Sequence, residues 1–261
     1  MDSRNWRRYS GSKYILLHGI SCSLLYRQRF NGLGISINQN DAYDKVIEKA
    51  IDAGIPVIAF NNDDAEKGKG NKRMAYIGQD ETAAGYTVTR RLVESAGLKK
   101  GDHVVCPVEH PDATYAILRY KGVKQALDES GITSEVLDTG AMSLDDTLTR
   151  MTQYLLGHKD TDAIVAMGGM PMEMAPQASQ DAGKLLPNAG YDITKVIAEN
   201  IRTGRTLATV DQKPYYQGYF TVIQLYNYCK YGLLPCNIDT GGGIIDKSNV
   251  AKVIALSDTV R

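Results

Sequence analysis

The chain has 261 residues, and its 30 basic and 30 acidic side chains give a formal net charge of zero at neutral pH. A balanced charge argues against broad nucleic-acid binding, which needs an excess of Lys and Arg on the surface. Four cysteines are too few for a disulfide scaffold, and the sequence contains no apolar run of the roughly 18 residues that a membrane-spanning helix needs.

The first 30 residues allow more than one interpretation. A polar, basic stretch at residues 1–13 precedes a mostly apolar stretch at residues 14–26, and Arg7-Arg8 lies ahead of the apolar part. That order resembles an export signal, but polar residues interrupt the apolar stretch and no small-residue cleavage motif follows, so the sequence carries no convincing signal peptide. The alternatives are that Tyr14–Leu17 forms the first strand of the domain, or that the chain has a truncated or altered start.

From residue 32 onward, short apolar runs alternate with amphipathic stretches. The predicted strands are Leu33–Ile37, Ile55–Phe60, Met74–Ile77, His103–Val108, Ser134–Thr139, Asp162–Met167, Thr206–Val210 and Gly243–Ile245. The predicted helices are Asp41–Ala53, Asp80–Ala96, Asp112–Ser130, Leu144–Leu156, Met172–Gly183, Thr194–Arg202, Pro214–Tyr231 and Ser248–Ala255. Strands that alternate with helices form βαβ units, so the pattern predicts an α/β fold with parallel sheets covered by helices on both faces.

Motifs for catalysis, metals and cofactors are weak. The triplets at residues 138–140 and 239–241 both read Asp-Thr-Gly, as in aspartic proteases. Proteases of that class are all-β, and the triplets also suit turns at strand ends. Gly168-Gly169 follows a strand without any phosphate-loop motif, and the four histidines lack metal-ligand spacing. We therefore predict no catalytic residues, no metal, no cofactor and no enzymatic activity.

Polar side chains recur directly after predicted strands. Such positions are occupied by Asn61-Asn62, Gln79-Asp80, Glu109 with Arg119, and Asp211-Gln212, while Tyr191-Asp192 follow a poorly formed strand. In open α/β sheets, ligands bind beyond the carboxyl ends of the strands. Amide and carboxylate groups next to an aromatic ring suit a neutral, polyhydroxylated ligand, because each hydroxyl both donates and accepts hydrogen bonds.

Several stretches together carry a family resemblance. They are AIDAGIPVIAFNND (50–63), YIGQDETAAGYTVTRRLV (76–93), RYKGVKQAL (119–127), DAIVAMGG (162–169), GYDI (190–193) and TLATVDQKPYYQG (206–218). In order and spacing, over about residues 32–261, the chain resembles the type I periplasmic sugar-binding proteins of bacterial ABC transporters, the ribose-binding-like group. That resemblance implies two Rossmann-like lobes, joined by three crossovers near Gln79, Gln212 and Thr240, which hold the ligand between them. The lobes would be residues 1–78 with 213–240, and residues 79–212 with 241–261.

The resemblance also implies a set of ligand-binding residues. They are Asn61, Asn62, Arg119, Tyr191, Asp192 and Gln212, with weaker alignments at Gln79, Ser36 and Ser143. It implies that replacing Arg119 or Asp192 with Ala weakens binding without unfolding the protein. The tyrosines on or beside the helix at 214–231 are predicted to pack within a lobe.

The chain departs from the family pattern in two places. Gly168-Gly169 stands where the family often has Asn-Asp, which removes two usual polar contacts. About 30 residues precede the strand at 33–37, which are too few for the family's first strand, first helix and second strand. We therefore expect the first lobe to be incomplete at its start.

By resemblance, the chain is a monomeric solute-binding protein of the periplasm or cell envelope. Its partners would be a sugar or polyol ligand and a membrane ABC permease, with no nucleic acid. One alternative is the effector-sensing core of a LacI-type regulator, although residues 1–30 show no two-helix pattern for a DNA-binding domain. A sensory receptor's ligand-binding domain is a further alternative. The third alternative is an enzyme with a doubly wound α/β fold, which would need a set of catalytic residues that the sequence does not show.

Overall fold

The computed structural model describes residues 6–9, 12–17, 30–39 and 41–256. The strands are β1 (Trp6–Tyr9), β2 (Ser12–Leu17), β3 (Gly32–Ile35), β4 (Val57–Asn61), β5 (Ala75–Gly78), β6 (His103–Val108), β7 (Thr133–Asp138), β8 (Ala163–Ala166), β9 (Asn188–Tyr191), β10 (Ala208–Asp211), β11 (Ile238–Asp239) and β12 (Gly243–Asp246). The helices are α1 (Asp44–Asp52), α2 (Glu81–Ala96), α3 (Thr114–Glu129), α4 (Leu144–Gly157), α5 (Gly169–Asp181), α6 (Lys195–Arg202), α7 (Pro214–Tyr231) and α8 (Val250–Leu256).

The chain divides into two compact units, each built from two separate segments. The first unit is Met1–Gln79 with Lys213–Thr240, and the second is Asp80–Gln212 with Gly241–Arg261. The chain therefore passes from one unit to the other after Gln79, after Gln212 and after Thr240.

The first unit contains one sheet, whose described strands lie in the order β1-β2-β3-β4-β5-β11. From β2 to β11 all neighbours are parallel, whereas β1 pairs antiparallel with β2. The strand predicted at Tyr14–Leu17 is confirmed as part of β2. Residues 1–5, 10–11 and 18–29 lie outside the described residues, so the incompleteness of the first lobe stays a prediction.

Alternate side chains of this sheet enter two apolar clusters. Leu33, Ile35 and Val57 pack with Ile47 of α1, while Ile58 and Ile77 pack with Leu225 of α7. This alternation is what a parallel sheet with a helix on each face requires.

The second unit contains the larger core. Its described strands lie in the order β12-β10-β9-β8-β6-β7, all parallel except for the antiparallel pair β10–β12. Val104 and Cys106 of β6 face α2 and α3, whereas Val105 faces the cluster formed with α4 to α6 and α8. The predicted α/β fold with parallel sheets is confirmed. No helix in the described ranges has the length and apolar character needed to cross a membrane.

Three local predictions need correction. The helix predicted from Met172 begins three residues earlier, at Gly169, and β9 and β11 were not among the predicted strands. Four of the tyrosines that were predicted to pack within a lobe instead expose 44–59% of their surface (Tyr215, Tyr216, Tyr219 and Tyr231). Tyr215 and Tyr219 stack on each other one helical turn apart.

Candidate functional site

In the first unit, a polar cluster lies at the carboxyl ends of β3 and β4. Ser36 directly follows β3, Asn61 ends β4, and Asn62 comes next. The Asn62 amide donates to Ser36 Oγ at 3.2 Å and to Asn61 Oδ1 at 3.1 Å. Asn61 has a φ of 64°, in the left-handed region that Asn tolerates better than most residues. The three predicted residues are therefore brought together.

The start of α7 extends this cluster with residues that the sequence prediction missed. Asn61 Nδ2 donates to Gln217 Oε1 at 3.1 Å, and Gln217 Nε2 donates to Thr240 Oγ1 at 3.2 Å. Lys213 Nζ donates to the Thr240 carbonyl at 2.7 Å. Gln217 lies in the quoted stretch at 206–218, but nothing in its spacing marks it as a neighbour of Asn61, 156 residues earlier.

The side chain of Gln79 makes no hydrogen bond to this cluster within the described part of the chain. Gln79 follows β5 and exposes 1% of its surface, and neither of its side-chain amide atoms has a hydrogen-bond partner among the described residues. The hydroxyl of Tyr76 lies 2.7 Å from the Asn61 carbonyl oxygen and 3.0 Å from that of Gln79. Tyr76 therefore links the ends of β4 and β5 through their backbones.

In the second unit, Asp192 and Gln212 meet at the ends of β9 and β10. The Gln212 amide donates to Asp192 Oδ1. Thr209 Oγ1 donates to the Asp192 carbonyl at 2.7 Å, which holds the backbone of Asp192 at its φ of 70°. Both predicted residues thus lie at one edge of the second sheet.

Arg119 is buried in an ion pair that the sequence did not reveal. Its Nε and Nη2 donate to the two carboxylate oxygens of Glu81 at 2.7 and 3.2 Å, and Nη1 donates to the Met167 carbonyl at 2.7 Å. Both charged side chains are 4% exposed. Burial works to lower the pKa of the Arg119 guanidinium, but the Glu81 carboxylate more than offsets this, so the pKa of Arg119 is raised.

Aromatic rings enclose the same guanidinium. Its central carbon lies 4.0 Å from the ring centroid of Tyr191 and 4.8 Å from that of Tyr115. Tyr191 has no exposed surface, and its hydroxyl donates to the Glu81 carbonyl at 3.3 Å. Arg119 and Tyr191 therefore have structural partners within the second unit, and their role in ligand binding stays a prediction.

Glu109 also belongs to this edge of the second sheet. It follows β6, and its Oε1 accepts the backbone N–H of Met170 in the first turn of α5 at 3.0 Å. A Cβ atom at Gly168 would lie only 1.8 Å from Glu109 Oε2, and one at Gly169 would lie 3.2 Å from Asp192 Oδ2. The carboxylates of Glu109 and Asp192 therefore flank the two glycines.

Ser143 has a local role at the start of α4. Its Oγ accepts the backbone N–H of Asp146 at 3.1 Å, as an N-cap residue does. It is not brought near Arg119, Asp192 or Gln212 by any hydrogen bond in the described part of the chain.

The chemistry of both edges is that of binding. Amides, a hydroxyl and carboxylates can hold a ligand through paired hydrogen bonds. Within the described ranges, no group of three or more His, Cys, Asp or Glu side chains is placed to hold a metal ion. Cys106, Cys229 and Cys236 are free thiols.

Known proteins similar to this chain are binding proteins. It is 29% identical over 245 residues to the xylose/arabinose-binding protein XylF of Sulfolobus acidocaldarius, which covers 88% of this chain and 60% of that protein. It is 28% identical over 186 residues to the D-ribose/D-allose-binding protein of Pseudomonas aeruginosa, which covers 70% of this chain and 58% of that protein. The chain thus spans about three fifths of the length of these two relatives.

Solved structures agree on the fold. A carbohydrate transporter from Acidothermus cellulolyticus, crystallised in complex with myo-inositol, superposes with a TM-score of 0.81 at 27% identity, covering 91% of this chain and 81% of that one. The family model described as periplasmic binding protein domain matches residues 24–233. With most of its length matched by that model and its fold shared with sugar-binding proteins, the chain belongs to the periplasmic binding protein domain family.

Proposed function

We propose that this chain binds a neutral sugar or polyol and delivers it to an ABC transporter. The observation that carries the proposal is the hydrogen-bonded cluster of Ser36, Asn61 and Asn62 at the carboxyl ends of β3 and β4. Those strand ends are where ligands bind in open α/β sheets. The named ligands of the relatives, which are pentoses, hexoses and myo-inositol, are all neutral and rich in hydroxyls.

The two edges supply complementary hydrogen-bonding groups. Asn62 and Gln212 each carry an amide with two donors and an acceptor, whereas Asp192 only accepts. A hydroxyl-rich ligand can satisfy both kinds of group at once. A ligand that lacks one of the matching hydroxyls would leave a polar group desolvated and unpaired, which costs about 1–3 kcal/mol. We propose that Ser36, Asn61, Asn62 and Gln79 act from the first unit, and Arg119, Tyr191, Asp192, Gln212 and Ser143 from the second.

The two compact units would act as lobes. In this proposal the chain segments after Gln79, Gln212 and Thr240 form the hinge, and the lobes close on the ligand by rotation about it. The protein would act as a monomer in the periplasm or cell envelope, and its liganded form would dock on a membrane permease.

Thermal unfolding in the presence of sugars tests the proposal. The panel contains D-xylose, L-arabinose, D-ribose, D-allose, D-galactose and myo-inositol. A ligand present at 100 times its dissociation constant stabilises the folded state by about 2.7 kcal/mol, so we expect a clear rise in the unfolding midpoint with at least one member. No rise with any of these sugars, and no heat of binding in titration calorimetry, would overturn the proposal.

A pair of matched variants assigns the binding to the proposed edge. Asp192 and Asp41 both have a left-handed backbone, with φ of 70° and 62°, so replacement by Gly relieves the backbone of each equally. We expect Asp192→Gly to abolish the sugar-induced rise in midpoint, because the ligand loses its carboxylate acceptor. Asp41→Gly should retain the full rise. Equal responses of the two variants would remove Asp192 from the site.

A further inference from the structure

We infer that Glu109 is a specificity-determining residue, and that it makes the ligand edge of the second unit selective for neutral hydroxylated ligands against sugar acids. The inference rests on the proposed function. The backbone of Gly168 has φ −157° and ψ 172°, an extended conformation that any residue adopts. The conformation of the chain therefore does not explain a glycine at this position.

The space around Gly168 does explain it. A Cβ atom there would lie 1.8 Å from Oε2 and 2.4 Å from the carboxyl carbon of Glu109. The Glu109 side chain thus occupies the volume into which a side chain at position 168 would project.

The carboxylate of Glu109 is held in place from one side. Its Oε1 accepts the Met170 N–H at 3.0 Å at the N-terminus of α5, where the helix dipole favours a negative charge. Among the described residues, its Oε2 has one long contact, 3.5 Å, with the hydroxyl of Tyr115. Oε2 is therefore a fixed acceptor with capacity for a ligand hydroxyl.

The charge at this edge follows from the two flanking carboxylates. Glu109 lies against Gly168, and Asp192 lies against Gly169, with Asp192 Oδ2 3.2 Å from a Cβ built on that glycine. The guanidinium of Arg119 is already paired with the carboxylate of Glu81, and both side chains are buried, so this ion pair adds no net charge to the edge. The edge thus offers acceptors and negative charge, so it favours hydroxyl donors and repels a ligand carboxylate.

The first experiment tests the placement of Glu109 without any ligand. Gly168→Ala is made in the wild type and in a Glu109→Ala background, and the unfolding midpoints are compared in a double-mutant cycle. We expect Gly168→Ala to lower the midpoint in the wild type, because the displaced Glu109 carboxylate would lose its hydrogen bond to the Met170 N–H, and to have almost no effect when Glu109 is already Ala. Equal effects in both backgrounds would overturn the placement and the inference with it.

The second experiment measures selectivity by titration calorimetry. The probes are two pairs, D-galactose with D-galacturonate and D-xylose with D-xylonate. We expect the wild type to bind the neutral member of at least one pair roughly tenfold or more tightly than its acid, and Glu109→Gln to narrow that ratio at least about threefold. Glu94→Gln is the control, because Glu94 is 61% exposed on α2 and its ion pair within the described ranges is with Arg90, so the ratio should not change.

The outcomes separate the inference from the proposed function. A wild type that binds no sugar of the panel or of these pairs overturns the proposed function, and the inference falls with it. A wild type that binds a neutral sugar, together with a Glu109→Gln variant whose ratio is unchanged, overturns the inference alone.

Discussion

Arg119 is the residue for which the structure most changes the expected effect of a substitution. The family resemblance implies that Arg119→Ala weakens binding without unfolding the protein. The structure shows instead a buried pair in which Glu81 would be left charged and without its partner. Removal of one member of a buried ion pair typically costs 3–5 kcal/mol.

We therefore expect Arg119→Ala to lower the free energy of unfolding by about 3–5 kcal/mol, measured by urea denaturation without ligand. The matched control is Arg90→Ala, because Arg90 pairs with Glu94 at 3.0 Å on the surface of the same unit. A surface pair of this kind contributes about 0–1 kcal/mol. Similar losses in the two variants would show that the Arg119 pair contributes no more than an exposed one.

The carboxyl group of Asp63 is expected to make the free energy of unfolding depend on pH. Burial raises the pKa of its carboxyl to about 6, although the guanidinium of Arg73 acts to lower it. The folded state then holds this proton at pH values where the unfolded chain, with a pKa near 3.8, has released it. Stability from this group is therefore present below about pH 4 and is lost as the pH rises through 6.

The measurement is urea denaturation between pH 4 and pH 7.5 for the wild type and for Asp63→Asn, which does not titrate. We expect the free energy of unfolding of the wild type, relative to Asp63→Asn, to fall by up to about 3 kcal/mol across this range. A difference that stays constant, or that grows with pH, would contradict the raised pKa.

At the scale of elements, α2 and α3 pack with unusually close backbones. A Cβ atom on Gly122 would lie 2.0 Å from the Thr82 carbonyl oxygen, and one on Gly85 would lie 2.4 Å from the Arg119 carbonyl oxygen. This closeness is what brings Glu81, in the first turn of α2, opposite Arg119 of α3. Any side chain larger than hydrogen at position 122 must push the two helices apart.

We expect Gly122→Ala to lower the free energy of unfolding by about 1–3 kcal/mol or more, because overpacking forces the backbones to shift. The control is Gly157→Ala at the end of α4, where a Cβ atom would meet nothing within 4 Å. Removing a glycine there should be neutral or stabilise by up to about 1 kcal/mol. The free energy of unfolding of both variants is measured by urea denaturation. A Gly122→Ala variant as stable as the wild type would refute the close packing of α2 and α3.

The elements also show what the sequence could predict. The strand around Val57–Phe60 and the cap at Asp80 follow from local signals, a β-branched apolar run and an Asp before a helix, and the structure has both. The start of α5 was missed because Gly168, Gly169 and Pro171 look like helix breakers. Pro171 lies in the first turn, where its missing N–H would have had no helical partner in any case.

Strand β9 was missed for a different reason. Its sequence, Asn-Ala-Gly-Tyr, contains no β-branched residue, and Gly190 is there because a Cβ would lie 2.1 Å from the Ala166 carbonyl oxygen on β8. The candidate site likewise contains residues that local sequence signals could group and pairings that they could not. Ser36, Asn61 and Asn62 could be grouped because strand ends share an edge, whereas the pairings of Arg119 with Glu81 and of Glu109 with Gly168 join residues 38 and 59 positions apart and have no local signature.

At the scale of the whole molecule, the charge is balanced, with 30 basic and 30 acidic residues. A neutral ligand bound by such a protein displaces no counterions. We expect the affinity for the best sugar of the panel to change less than about twofold between 50 and 500 mM NaCl, measured by titration calorimetry. A steep loss of affinity with salt, as seen when proteins bind nucleic acids, would contradict a neutral ligand.

The division of each unit into two chain segments has a consequence for biosynthesis. Helix α7, which covers Ile58 and Ile77 on one face of the first sheet, is translated only after the first segment of the second unit, Asp80–Gln212. While the ribosome synthesises the intervening residues, that apolar face stays exposed to solvent. During the same period the nascent chain can already fold most of the second unit. Synthesis of the first unit therefore begins first but its folding is completed late, and in the interval its sheet exposes an apolar face of the kind that makes folding intermediates prone to aggregate.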